Sequence, residues 1–300
     1  MESLKTILYF SIFRYPLTLI EIHGYTNHDS INETYEELNQ LIVLNIINKI
    51  DDFYIYNNDS DCISKRQKGI IEAEKIMEIA FKKARLISKF PYVKAVGISG
   101  SLSKGYFDKE SDIDFFVITK PNKLWICRTI LILYKKIFLL NSRKYFCVNY
   151  FITSNQLEIV EKNRFTATEL KTLIPLQGKA IFEEFYSANK WVNDYFKQFN
   201  PNLSQTLENS SSIISTIIEF MLNNKIGQVF NVLFKKITIQ KWNAKFKSLH
   251  KDDFNIALKS TDSISKHHPS NFQKKVILAL NSKIEEVETN FNIILSKENV

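Results

Sequence analysis

Between residues 97 and 105 the chain places three of its seven glycines (Gly97, Gly100 and Gly105), and from 100 to 114 it reads GSLSKGYFDKESDID. Glycine tolerates positive φ and lets other groups approach the backbone closely. Such clustering in a glycine-poor chain marks a turn of unusual geometry. Apolar, strand-like runs flank it, Val93–Ile98 before and Phe115–Ile118 after. The pattern predicts a strand from Asp112 to Thr119. Alternate residues of a strand share a face, so Asp112 and Asp114 are expected to point the same way. Two carboxylates so aimed repel each other unless a cation lies between them. The apolar strand that follows suits the middle of a sheet, where a free Asp114 is costly.

A turn with free backbone N–H groups at Gly100 and Ser101, a serine hydroxyl, and two hard oxygen donors nearby suits Mg²⁺ carried by a nucleoside triphosphate. Lys104, inside the turn, is placed to reach a phosphate. Arg128, early in the next helical run and set among apolar residues, is a candidate contact for a phosphate or a carboxylate. The five histidines show no ligand spacing with nearby cysteines, and His267-His268-Pro269 reads as a loop. Trp125, Trp191 and Trp242 read as core.

The rest of the chain bounds the answer. Its 300 residues are 45% hydrophobic and 24% charged, the composition of a globular protein with ample core material. Cys62, Cys127 and Cys147 form no CxxC pair, which reads as reduced thiols in a cytoplasmic protein. The N-terminus has an acidic start and no small-residue cleavage site, unlike a signal peptide. The most lipid-like run, 124–140, is interrupted by Arg128, Lys135 and Lys136 and does not read as a membrane span. Residues 1–62 carry three basic and ten acidic side chains, so the net charge of +8 comes entirely from the remainder. That basic remainder attracts polyanions, nucleotides included.

Residues 1–62 read as three short helices and a hairpin, a winged-helix-like module. Capping boxes at Thr18–Glu21 and Ser30–Glu33 start the second and third helices. The third carries Glu33, Glu36 and Glu37 and no Lys or Arg. A helix entering a major groove needs positive charge, so duplex DNA is not the expected partner. Packing or a protein partner fits the acidic module better. Residues 63–89 read as a connecting amphipathic helix. Residues 90–165 alternate strand and helix and form the α/β core. Their last strands are Tyr145–Thr153 and Leu157–Glu161, joined by a turn at Ser154-Asn155. Residues 166–300 read as almost wholly helical.

Gly100-Ser101, nine further residues, Ser111-Asp112-Ile113-Asp114 and then an apolar strand resemble the nucleotidyltransferase superfamily of the DNA polymerase beta type, and its small prokaryotic members above all. The resemblance covers residues 90–165. It implies an α/β (α+β) fold with a mixed-sheet core, flanked here by the N-terminal module and the C-terminal helical region. It implies that Gly100, Ser101, Lys104 and Ser111 bind the nucleotide. Asp112 and Asp114 would be catalytic and hold Mg²⁺, in a two-metal site that also accepts Mn²⁺. The implied reaction moves a nucleoside monophosphate from NTP to an acceptor hydroxyl and releases pyrophosphate. The chain departs from the pattern at the third carboxylate that family members carry on a later strand. The matching position holds Asn149, whose amide oxygen ligates weakly and cannot act as a base. If 157–161 is a hairpin strand, Glu158 falls opposite Phe151, on the face of Asn149, and becomes a candidate third ligand. Asn149 also motivates an alternative: a catalytically weak nucleotide-binding regulatory or interaction protein.

Overall fold

The computed structural model describes residues 1–57 and 59–299. The chain opens with α1 (Glu2–Ser11), β1 (Leu17–Thr18), α2 (Leu19–Gly24), α3 (Ile31–Val43), β2 (Ile47–Ile50) and β3 (Phe53–Tyr56). The long α4 (Asp61–Ser88) leads to β4 (Val93–Ser99), the single turn α5 (Gly100–Ser103), β5 (Asp114–Thr119), α6 (Leu124–Phe138) and β6 (Cys147–Thr153). Then come α7 (Arg164–Thr172), β7 (Ile174–Gln177) and α8 (Lys179–Ala188). The chain closes with α9 (Ile213–Leu222), α10 (Lys225–Lys245), α11 (Lys251–Ala257), β8 (Ile264–Lys266) and α12 (Phe272–Phe291).

Local chemistry sets the first elements. At α2 the Thr18 hydroxyl accepts from the Glu21 N–H, while the Glu21 carboxylate accepts from the Thr18 N–H at 2.8 Å, a reciprocal capping box. Only half of the second predicted box forms. Ser30 caps the Glu33 N–H, but the Glu33 carboxylate turns to the N–H of Asp29. The acidic face of α3 has structural work: Glu37 accepts from the N–H groups of Ser3 and Leu4 at the start of α1, where a carboxylate complements the helix dipole. β1, β3 and β2 form an antiparallel sheet in that order.

The central sheet runs β7-β4-β5-β6-β8. β5 and β6 are parallel and the other neighbours antiparallel. A parallel pair needs a crossover, and α6 provides it. β5 is covered on both faces, which explains its unbroken apolar run. Phe115 and Val117 pack among Ala80, Ala84 and Ile87 of α4 and Trp125 and Leu131 of α6. Phe116 and Ile118 pack among Ala167 and Leu170 of α7 and Phe182 and Phe185 of α8.

Three expectations change. No strand forms at 157–161. β8, from far down the chain, takes that edge of β6 and sets Ser265 opposite Phe151. The sheet therefore draws β7 and β8 from beyond residue 165, and the C-terminal region is not purely helical. The N-terminal module also does not close on itself. Its core of Leu4, Leu8, Leu38 and Leu41 is completed by Val276, Leu280, Ile284 and Val287 of α12. Among the described residues no helix is long and apolar enough to cross a membrane.

Candidate active site

The antiparallel pairing of β4 and β5 sets Ser99 opposite Asp114, so the end of one strand meets the start of the other. The chain turns between them at Gly100, with φ at +72°. A Cβ built on Gly100 would lie 2.5 Å from Asp114 Oδ2. Glycine is required twice there, for the left-handed backbone and for the carboxylate packed against it. β5 starts at Asp114, not at Asp112. The pairing of the two carboxylates comes from the loop that delivers Asp112 to the strand end, and not from strand alternation. They lie near enough for Asp112 to disfavour the charged form of Asp114.

Both carboxylates line a cavity of about 840 Å³, together with Ser99, Gly100, Ser101, Ser111 and Asn149. Ser111 is locked by its hydroxyl, which donates to Asp108 Oδ1 at 2.7 Å. Asn149 sits at a bulge of β6, where the register against β5 jumps from Val148 to Tyr150. Its Nδ2 donates to Asp114 Oδ1 at 2.8 Å. Burial raises Asp114 to about 6, and Asp112 and Glu169 add to this, while hydrogen bonds from Cys147 and Asn149 favour its charged form. The buried Oδ1 of Asn149 has no hydrogen-bond partner.

A crowded carboxylate with a raised pKa beside an orphaned buried oxygen is an arrangement that a hard cation would satisfy. Among the described residues no group of three or more His, Cys, Asp or Glu side chains is arranged to hold a metal. The donor set is two carboxylates and one amide oxygen, open on the cavity side. That suits Mg²⁺, which keeps waters and takes its remaining ligands from phosphates.

Two sequence candidates lie elsewhere. Glu158, without its hairpin, stands on the surface in an ion pair with Lys162, with its side chain 55% exposed. It does not line the cavity. Lys104 bends back, donating to the carbonyl of Gly100 and pairing with Glu169 at 2.7 Å. It braces the turn and is not in the cavity wall.

Other residues in the wall escaped the sequence reading. Glu169 of α7 lies within electrostatic reach of Asp114, and nothing in the sequence ties that helix to the carboxylate loop. Lys135 follows Arg128 by seven residues on α6, a helical spacing that keeps both on one face; that signal was legible. Arg143 and His267 complete this part of the wall. Burial and the nearby Arg128 and Arg143 lower His267 to about 3, so it is neutral. Its backbone N–H donates to the carbonyl of Asn149, which fixes the end of β8 against the bulge. The N-terminus of α6, lacking a cap of its own, is capped from α10. Asn231 Oδ1 accepts from the N–H groups of Trp125 and Ile126.

The family described as nucleotidyltransferase domain matches residues 82–297. No curated protein and no solved structure matches the chain.

Proposed function

The chain belongs to the nucleotidyltransferase-domain family, and from that premise we propose that it is a Mg²⁺-dependent enzyme moving a nucleoside monophosphate from NTP to an acceptor hydroxyl. The observation that carries this is the packing of Asp114 against the positive-φ Gly100, with Asp112 beside it and the Asn149 oxygen unsatisfied. Asp112 and Asp114 would hold the metal, with the Asn149 oxygen as a weaker neighbour and Mn²⁺ as a substitute ion. When bound, the metal supplies charge stabilisation to the phosphoryl group under attack and to the leaving pyrophosphate. Gly100 and Ser101 present N–H and hydroxyl donors to the phosphates. Ser111 holds the Asp108 loop in place. Glu169, through Lys104, fixes the carbonyl of Gly100 and so the aim of the turn.

The test is direct. The purified chain is given α-labelled NTPs, Mg²⁺ and a pool of small acceptors, and pyrophosphate release is followed. Wild type should release it, and Asp112→Asn and Asp114→Asn should not. Mg·NTP binding with no turnover across all acceptors would favour the second reading, a nucleotide-binding regulator. Asn149 favours that reading, because it offers no base and already occupies one oxygen of Asp114. Absence of Mg·NTP binding would remove both.

For residues 1–62, the order helix, strand, helix, helix, strand, strand supports a winged-helix-like reading. The acidic α3, whose Glu37 is committed to capping α1, supports packing or protein contact over duplex DNA. A cytoplasmic location remains part of this proposal.

A further inference from the structure

Among the described residues seven Lys or Arg side chains are buried. Five have a hydrogen bond or an ion pair. Lys5 pairs with Glu298, Arg66 with Glu21 and Arg164 with Glu2. Lys123 donates to the carbonyl of Leu222 and Lys266 to Gln273. The other two, Arg128 at 9% and Lys135 at 8% exposure, have neither. Both line the cavity of the candidate site.

Burying an unpaired cation costs free energy that a fold ordinarily avoids by pairing it. Here two occur on one face of one helix, with their nitrogens reaching the cavity and not sealed within the protein. Aromatic stacking holds Arg128 in place. The Arg128 guanidinium lies over the Trp242 ring, 4.8 Å from its centroid. Trp242 in turn packs against His267, at 4.9 Å between centroids. The neutral His267 adds no competing charge, and Arg143 lines the same wall. The carboxylates of the site do not neutralise these cations by contact, since neither forms an ion pair with them. A group that enters the cavity and carries negative charge would.

We infer that Arg128, Lys135 and Arg143 form an anion subsite for the acceptor, which therefore carries a phosphate or carboxylate group. This rests on the functional reading above, because it assigns the turn at Gly100-Ser101 to the nucleotide and the α6 face to the second substrate. A planar guanidinium and an ammonium about two turns apart on one helix face suit a multi-oxygen anion between them, which accepts several charge-assisted hydrogen bonds at once. The same cations would also suit the tail of the nucleotide, and the experiment separates these two sources.

Inorganic phosphate is the probe. Its binding to the full chain is measured by calorimetry, alone and with Mg²⁺ and a non-hydrolysable NTP at saturation. Wild type should bind phosphate in both conditions. Arg128→Gln with Lys135→Gln should weaken it by about 10-fold or more, the loss expected for two charge-assisted bonds. Arg143→Gln, at an exposed position with no packing role, should weaken it less and guards against a folding artefact. Arg128→Lys with Lys135→Arg should retain it. Displacement of phosphate by Mg·NTP would overturn the inference in favour of the nucleotide tail. Failure of wild type to bind millimolar phosphate, or equal binding by the charge-removing variants, would also overturn it. Asp114→Asn separates the two proposals: it should lose Mg·NTP and keep phosphate. A wild type that binds Mg·NTP but no phosphate sinks this inference alone.

Discussion

Arg66 and Arg128 are both buried arginines, and the surroundings of each say what it is for. Arg66, on α4, reaches into the N-terminal module and is 6% exposed. It donates to both oxygens of Glu21 and to the carbonyl of Pro16, and stacks on Tyr15 and Phe53. Arg128 is buried almost as deeply, yet it has only aromatic faces and an open cavity. The fold gives the first arginine an ion pair, leaving only its Nε without a partner, and gives the second none. A buried charge satisfied within the chain is a structural joint. One left unsatisfied at a cavity has its partner outside the chain.

The sharpest way to break this comparison is at the carboxylates. Asp114→Asn should lower Mg²⁺-dependent pyrophosphate release by about 10³-fold or more, by analogy with removal of one charge-stabilising group in other active sites. Its thermal stability without metal should not fall. A variant that keeps turnover would show that the cavity is not the reactive centre.

Arg66→Gln comes next. Removing one partner of a buried pair leaves the other uncompensated, and it should cost about 3 kcal/mol in denaturant unfolding. A loss below about 1 kcal/mol would mean that Glu21, which is partly exposed, turns to water without penalty.

A smaller effect should follow from pH. Asp114 has a folded-state value of about 6, above the ordinary 3.8. Its ionisation is therefore disfavoured in the folded chain. Below about pH 4 the group is protonated in both states and there is no penalty. The penalty grows between about pH 4 and pH 6 and is constant above. Metal-free protein should lose up to about 3 kcal/mol of stability over that window. Mg²⁺ should restore it, and Asp114→Asn should lack the slope. Thermal melts from pH 4 to 8, with and without Mg²⁺, check this. A wild type and Asp114→Asn with parallel profiles would refute it.

The smallest effect sharpens the contrast directly. Arg128→Gln removes an unpaired buried charge at the expense of a stacking contact, so stability should change by less than about 1 kcal/mol in either direction. A loss as large as that of Arg66→Gln would show that Arg128 is structural after all.

The glycine turn and the strand after it are legible in the chain. The glycine spacing, the two aspartates and the flanking apolar runs located the turn and β5, because their signals are local. Asn149 stands where the resemblance leads one to expect a carboxylate. The hairpin expected to carry Glu158 does not form, because five strand-like residues do not specify which strand they pair with. The Leu157–Glu161 run is apolar enough to pack as a loop, with Leu157 and Ile159 buried against the α8 side of the sheet. The Glu169 partner of Lys104 lies 65 residues away, where no local pattern shows it.

The order of residues by itself determined the turn at Gly100, a backbone that only glycine can follow, and the placing of Asp114 at the start of the next strand. Both depend on contacts within about twenty residues. Only the tertiary structure decided that β8 closes the sheet, that α12 completes the N-terminal core, and that Arg128 and Lys135 are left without counter-charges. Those outcomes turn on which distant apolar faces and acidic groups come to rest together. Whether a buried cation is satisfied is a property of everything around it, and no local pattern of residues records it.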